Sequence, residues 1–512
     1  MSTLKERAAA LPADRLVGMR RGIEKEGLRV LPSGDLALTP HPRALGAALT
    51  HSSITTDYSE SLLELITQPH ASAQACEAEL TALHQVVQQV LVRQNEPELL
   101  WASSMPSLLP PDETIPLGRY GSSNIGRAKS VYRMGLGHRY GRRMQTIAGI
   151  HYNWSLPGVD TDQYFALIRN FRRHSFVLLY LFGASPALAP RFVDGRAHTL
   201  QPLGDGNRAL HLPYATSLRM GRLGYQSDAQ GSIMASYNGL QGFAASLHEA
   251  LTRPYPAYEA MGVRSLGGDY NQLGTSLLQI ENEFYGTIRA KRTVRSDERP
   301  LHALRERGVE YIEVRLMDLN PLVPIGITAQ TMRMLDIFLL HCLLTDSPPD
   351  TPEEIATLRR NLHCAAERGR EPGLQLSTRQ GQSAVLTDWG QHLLAECVPL
   401  AERLDAVHGG SDYQQALAAA QAVMCAPERT PSSQVLSRLA RLHDHDFIDF
   451  ARACSQTAQQ QLLNHPWTQV QQQQYQALAI QSHAQQRAIE AADTLPFEEW
   501  RQRYMAHEHL VV

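Results

Sequence analysis

Cysteine is scarce and scattered in this 512-residue chain. Its six cysteines, Cys76, Cys342, Cys364, Cys397, Cys425 and Cys454, include no pair close enough for a Cys-x-x-Cys metal or redox site. They read as buried thiols that behave like small apolar side chains. A disulfide among them would be unusual in a reducing compartment. No phosphate-binding P-loop sequence occurs, so an ATP-using activity here would not be of that kind. The most apolar run, residues 176–181 and its neighbours, is too short and interrupted to span a bilayer. The N-terminal residues lack the apolar stretch of a secretory signal, so the cytoplasm is the expected location. Charge of one sign is also missing: 48 basic against 51 acidic residues leave a net charge of −3. That balance asks for neither nucleic acid nor an anionic membrane as partner. No internal repeat with a period of roughly 20–50 residues is present.

What the chain does have is acidic residues on strand-like segments. Residues 22–30, 61–67, 149–156, 277–285 and 310–316 alternate or are rich in Ile, Val, Tyr and Leu, and read as strands. Residues 75–95 and 164–182 carry apolar side chains at helical spacing. The strands are too irregularly spaced for a repeated strand–helix–strand unit, which predicts an α+β fold with an antiparallel sheet. From about residue 330 the character changes. Residues 332–344 read as an apolar helix, then Ser347-Pro348-Pro349-Asp350 breaks the chain, and the remainder reads as helical. The expected organisation is a core over residues 1–345 and a mainly helical region over residues 346–512 packed on it.

Three short motifs carry little. Gly204-Asp205-Gly206-Asn207-Arg208-Ala209 follows no clear strand and precedes no clear helix, and reads as a turn. His443-Asp444-His445-Asp446 and His507-Glu508-His509 contain ligand-type residues without metal-site spacing.

The acidic strands carry more. In a strand, residues two apart share a face. Glu24 and Glu26 therefore point one way, as do Glu313 and Arg315. Glu64 stands among Leu and Ile, although Asp57, Glu60 and Glu64 also fit one face of a helix. His151, Asn153 and Ser155 share the polar face of their segment, and Gln279, Glu281, Glu283 and Tyr285 share one of theirs. Carboxylates inside a sheet are costly unless paired or bound to metal. Hard oxygen ligands with one imidazole suit Mg²⁺ or Mn²⁺. Mg²⁺ commonly binds through a few carboxylates together with substrate phosphates, so a triphosphate completes the cleft. Arg315, Arg289, Lys291 and Arg292 are the cations available for its charge.

These segments, with others in order along the chain, resemble the proteobacterial type of glutamate–cysteine ligase. The matching blocks include Arg21-Gly22-Ile23-Glu24-Lys25-Glu26, Tyr120-Gly121-Ser122-Ser123-Asn124, Gly149-Ile150-His151-Tyr152-Asn153, Leu212-Pro213-Tyr214-Ala215-Thr216-Ser217-Leu218-Arg219 and Tyr311-Ile312-Glu313-Val314-Arg315. The likeness runs from about residue 16 to 345, then weakly through the helical tail. It implies ATP-dependent joining of L-cysteine to the γ-carboxylate of L-glutamate through a γ-glutamyl phosphate, the first step of glutathione synthesis. The implied fold is glutamine synthetase-like, a curved and mostly antiparallel sheet forming a funnel.

Position by position, the resemblance implies that Glu24, Glu26, Glu64, His151 and Glu313 bind the cations, with Asp57 close by and a candidate for the catalytic base. Arg315 would face the transferred phosphoryl group and Arg219 would grip the α-carboxylate of glutamate. Tyr132, Gln145, Tyr225 and Tyr285 would form the cysteine pocket, with Tyr58 and Leu136 as walls. Two positions depart from the family pattern, Gly27 where Thr is known and Tyr58 where Phe is known. A monomer acting on small molecules is expected. Two other readings of the same residues stay open: a glutamate ligase with another amine acceptor, and a cation-dependent phosphate-ester hydrolase.

Overall fold

The computed structural model describes residues 3–224, 229–233, 235–295 and 298–506. Tyr225 and the motif at residues 507–509 lie outside these. The centre of the fold is a seven-stranded antiparallel sheet. Its strands are β1 (Arg20–Val30), β2 (Ile54–Thr56), β3 (Leu62–Ile66), β4 (Leu99–Leu100), β5 (Ile150–Ser155), β6 (Ile288–Lys291) and β7 (Tyr311–Met317). Their order is β2-β3-β1-β5-β7-β6, with β4 added to the end of β1. This is the antiparallel α+β architecture expected from the sequence.

Register puts the polar residues on one face. Glu26 pairs with Glu64, and Glu24 with His151. Glu313 lies between Asn153 on one side and Arg289 on the other. Between Val314 and Met317 the pairing with β5 slips, a bulge in which β7 carries one extra residue. The other face carries Ile23, Ile150, Tyr152, Trp154, Ile312 and Val314, all buried. Helices Ala73–Leu91, Thr161–His174 and Ala329–Leu344 cover it. Behind Tyr152, whose hydroxyl donates to Asp336 at 2.7 Å, Arg21 and Asp336 form an ion pair at 3.1 Å with neither side chain exposed.

Two expected elements differ. Residues 277–285 are not a strand; they are irregular chain with one 3-10 turn at Glu281–Glu283. Glu281 is held by Arg299 at 2.8 Å, and Glu283 by Arg139 at 2.9 Å and the Tyr140 hydroxyl at 2.6 Å. Their carboxylates are thus neutralised by basic partners outside the segment, 18 and 144 positions away, and the alternation had no sheet face behind it. Residues 164–182 form two helices, Thr161–His174 and Phe176–Phe182, joined at Ser175. The Gly204 motif falls in the loop between paired short strands Gln201–Pro202 and Leu210–His211.

After residue 346 the described chain is helical, with one small hairpin, Gln375–Ser377 with Ser383–Val385. Helix Asp412–Met424 packs on Ala329–Leu344, and helix Phe447–Asn464 on Ala73–Leu91. The apolar core runs unbroken from Ala8 to Leu462. Among the described residues no helix is long and apolar enough to cross a membrane.

Candidate active site

The polar face of the sheet gathers the acidic residues singled out above. Nδ1 of His151 lies 3.2 Å from Glu24 and 3.8 Å from Glu313, while its Nε2 lies 3.7 Å from Glu26. Asn153 donates to Glu24 at 2.8 Å, and the Gly149 amide to Glu26 at 2.6 Å. Glu24, Glu64 and His151 offer donor atoms within 4.8 Å of one another, and so do Glu26, Asp57 and Glu64. Glu64 belongs to both groups and bridges them. The helical alternative for residues 57–64 does not arise, because Glu64 sits on β3.

The electrostatics of this cluster are unbalanced. Burial drives Glu64 well above the usual carboxylate range, and repulsion from Glu24, Asp57, Glu26 and Glu313 adds to it. Burial and Asp57 push Glu26 up to about 8, against the pull of Arg219, the Gly149 amide and Arg315. Carboxylates this close cannot all ionise without a cation among them. Five carboxylates and one imidazole form a donor set that fits hard divalent cations.

Beside the cluster lies a basic edge. Arg315 donates to Glu313 at 3.1 Å, Lys291 donates to it at 3.3 Å, and Arg289 lies 3.8 Å away. Burial would raise Glu313, but Lys291, Arg315, His151 and Arg289 together hold it well below its ordinary value. Arg289 is committed further, donating at 2.7 Å to the carbonyls of both Asn282 and Phe284. Arg292 is not brought to this edge; it lies 3.6 Å from Glu310.

Arg219 is 2 % exposed and lies across the start of β5. It donates to the Arg315 carbonyl at 2.9 Å and faces Asp318 at 3.7 Å. Asp318 is fixed in turn by the Ala184 amide and the hydroxyls of Ser185 and Ser217. Asp318 was not foreseen from the sequence. A cavity of about 210 Å³ opens beside Arg219 and Arg315, lined also by Tyr237, Tyr285, Leu358 and Arg359.

The expected cysteine-pocket residues come from three places. Tyr132 and Leu136 lie on helix Asn124–Tyr140, Gln145 on the turn Met144–Thr146, and Tyr285 just before β6. Gln145 donates to the Tyr285 hydroxyl at 2.9 Å. Tyr58 is buried, and its hydroxyl has no hydrogen-bond partner among the described residues. That hydroxyl abuts Gly137, where a Cβ would lie 2.6 Å from it. Lys129 and Arg133 of the same helix were also unforeseen. Both cations stand over the Tyr120 ring, at 5.1 and 4.5 Å, and Arg133 donates to the Asp57 carbonyl. The His443 motif makes surface pairs instead, His443 with Asp449 at 2.8 Å and Asp444 with Arg208.

An open antiparallel sheet backed by helices, with a carboxylate cleft edged by guanidinium groups, places the chain among the ATP-dependent carboxylate–amine ligases. The sequence profile of the glutamate–cysteine ligase family matches residues 4–365. The chain belongs to that family. It is 45 % identical over 530 aligned positions to the glutamate–cysteine ligase of Alcanivorax borkumensis, covering 98 % of this chain and 99 % of the relative. It is 46 % identical over 517 positions to that of Bordetella parapertussis, covering 97 % and 95 %. Among solved structures, the glutamate–cysteine ligase of Francisella tularensis in complex with AMP superposes with a TM-score of 0.89 at 34 % identity, covering 95 % of this chain and 97 % of that one.

Proposed function

We propose that this chain joins L-cysteine to the γ-carboxylate of L-glutamate at the expense of ATP, releasing ADP and phosphate. The observation that carries the reading is the pairing of the acidic face built from Glu24, Glu26, Asp57, Glu64 and His151 with the Arg315–Lys291 edge around Glu313 on the same side of one sheet. The γ-carboxylate of glutamate is a poor electrophile. Transfer of the terminal phosphoryl group of ATP makes it an acyl phosphate. The cysteine amine then attacks the acyl carbon, and phosphate leaves.

Phosphoryl transfer needs positioning and charge stabilisation above all. Mg²⁺ or Mn²⁺ held by Glu24, Glu26, Glu64, His151 and Glu313 would neutralise the triphosphate. Arg315 is the group we assign to the moving phosphoryl, because Glu313 aims its guanidinium into the cleft. Lys291 and Arg289 supply further positive charge beside it. Arg219, oriented by Asp318, receives the α-carboxylate of glutamate. Tyr58, Tyr132, Leu136, Gln145 and Tyr285 wall the amine site. Asp57, drawn beside Glu26 and Glu64, is the carboxylate we assign to the amine proton.

Helices Asp412–Met424 and Phe447–Asn464 of the region after residue 346 buttress the helices Ala329–Leu344 and Ala73–Leu91 behind the sheet. Because the amine substrate carries a reduced thiol and the co-substrate is ATP, we place the activity in the cytoplasm. A monomer meets all these requirements, and light scattering tests it. The decisive assay supplies purified protein with ATP, Mg²⁺, glutamate and cysteine. ADP release that requires both amino acids is expected. Phosphate release without an amine would favour a hydrolase, and a faster rate with another amine would reassign the acceptor.

A further inference from the structure

The last described helix, Phe497–Met505, lies far from the cation cluster in sequence but touches the wall of the amine site. Its Phe497 forms a small apolar core of its own with Ala128 and Leu273, apart from the main core. Tyr132, Val131, Ile280, Trp500 and Met505 pack against it. Tyr132 thus presents one part of its ring to this core while belonging to the proposed amine pocket.

Polar contacts fasten the same helix from several sides. The amide of Asn124, the first residue of helix Asn124–Tyr140, donates to the Asp493 carboxylate, and the Asn124 side chain donates to the Leu495 carbonyl at 3.0 Å. A carboxylate at a helix N-terminus is favourably placed against the helix dipole. One turn further on, the Arg127 guanidinium stacks 4.4 Å over the Phe497 ring. Arg501 donates to the Leu273 carbonyl at 2.6 Å. The Leu273 amide donates to Gln279 at 2.9 Å, and Gln279 donates back to the Tyr132 carbonyl at 3.3 Å. Gln279 fits there only because Gly135 has no side chain; a Cβ would lie 2.3 Å from its Oε1. Arg299, paired with Glu281, donates to the Tyr504 carbonyl at 3.0 Å.

We propose that the C-terminal helix positions the amine site, with Phe497 and Arg501 as positioning residues that set Tyr132 and hence acceptor affinity. This rests on the assignment of Tyr132 to the amine pocket. The path from helix to pocket is short: Phe497 through the small core it shares with Ala128 and Leu273, against which Tyr132 packs, and Arg501 through Leu273 and Gln279 to the Tyr132 carbonyl. The contacts described for this helix lead to helix Asn124–Tyr140, Leu273 and Arg299, not to the carboxylate cluster, so glutamate and ATP should not sense it.

The test uses the full chain with Phe497→Ala, Arg501→Met and the conservative Phe497→Leu. Displacement of the Tyr132 wall predicts a KM for cysteine raised about tenfold or more in Phe497→Ala and Arg501→Met. The KM values for glutamate and ATP should stay within about twofold, and Phe497→Leu should recover most of the loss. Equal changes in all three KM values, or no change in any, would overturn the proposal. A second readout needs no substrate: amide hydrogen exchange within helix Asn124–Tyr140 should quicken in Phe497→Ala while β1 and β5 stay protected. Should the unaltered chain release no ADP with glutamate and cysteine, the assigned reaction fails. The exchange result then still decides whether the C-terminal helix holds this one.

Discussion

Gly149 and Arg219 occupy one another's space: a Cβ on Gly149 would lie 1.9 Å from Nη2 of Arg219. The guanidinium can cross the beginning of β5 only where a residue has no side chain. The same glycine donates its amide to Glu26, so one position serves both the arginine and the carboxylate cluster.

Gly149→Ala should therefore push Arg219 from its seat beside Asp318. The expected result is a KM for glutamate raised on the order of 10²-fold, with the KM for cysteine nearly unchanged. Initial rates at varied glutamate check it. A glutamate KM like that of the parent would remove Arg219 from the glutamate site.

Glu313 touches Arg315, Lys291, Arg289 and His151 at once. Glu313→Gln leaves three cations facing a neutral amide and takes one anionic ligand from the cluster. A rate loss on the order of 10²–10³-fold is expected, together with a higher Mg²⁺ concentration for half-maximal activity. Rates measured across a Mg²⁺ series separate the two effects. An unaltered Mg²⁺ requirement would take Glu313 off the cation site.

Glu283 answers the opposite question. Its side chain and that of Arg139 are both fully enclosed, 2.9 Å apart. Glu283→Gln strands a buried guanidinium, at an expected cost of about 3–5 kcal/mol in unfolding free energy. Urea denaturation measures it. The Mg²⁺ requirement of the folded fraction should not move, because Glu283 faces Arg139 and Tyr140 rather than the cluster.

Stability should also fall in mild acid. Both ring nitrogens of His41 are enclosed, and a contact with the Gly46 backbone offsets their burial only in part. Burial, with Arg29, His51 and His483 nearby, lowers its pKa from 6.5 to about 3. The folded chain keeps this ring neutral where the unfolded chain protonates it. The stability it contributes is complete above the unfolded value of about 6.5 and is lost as pH falls toward 3, by about 1.4 kcal/mol per pH unit. Urea midpoints between pH 7.5 and 5 should decline, and His41→Leu should flatten that decline. Parallel curves for the two proteins would contradict the assignment.

Much of this architecture could be read before any coordinates. The strands containing Glu24, His151 and Glu313 stand out because each sets polar residues two apart within apolar chain, that of Glu64 because one carboxylate stands among Leu and Ile, and each lies in the sheet. The same signal failed at Gln279 to Tyr285. There the carboxylates of Glu281 and Glu283 answer Arg299 and Arg139, and a pattern confined to nine residues cannot register partners 18 and 144 positions away. The break at Ser175 was equally hidden, since both flanking segments are apolar at helical spacing. Asp318 escaped notice because it stands alone, and its meaning comes from Ser185, Ser217 and Arg219, which only folding assembles. The grip of the C-terminal helix on Asn124 belongs to the same class: a backbone amide meeting a carboxylate 369 residues later.

The slip in pairing between Val314 and Met317 gives the seventh strand two phases. Upstream of it the odd-numbered residues Tyr311 and Glu313 look toward the cleft. Downstream Met317 is paired with Ile150, on the side of the helices, and the even-numbered Asp318 inherits the outlook toward Arg219. On the proposed assignment, the first half of this strand would serve the charge of the nucleotide, and Asp318 just past its end the anchoring of the amino acid. The interval between Glu313 and Asp318 is set by one surplus residue. Removing it would restore ideal alternation and turn Asp318 away from Arg219, so here the irregular spacing, rather than any single side chain, holds the two carboxylates on one side.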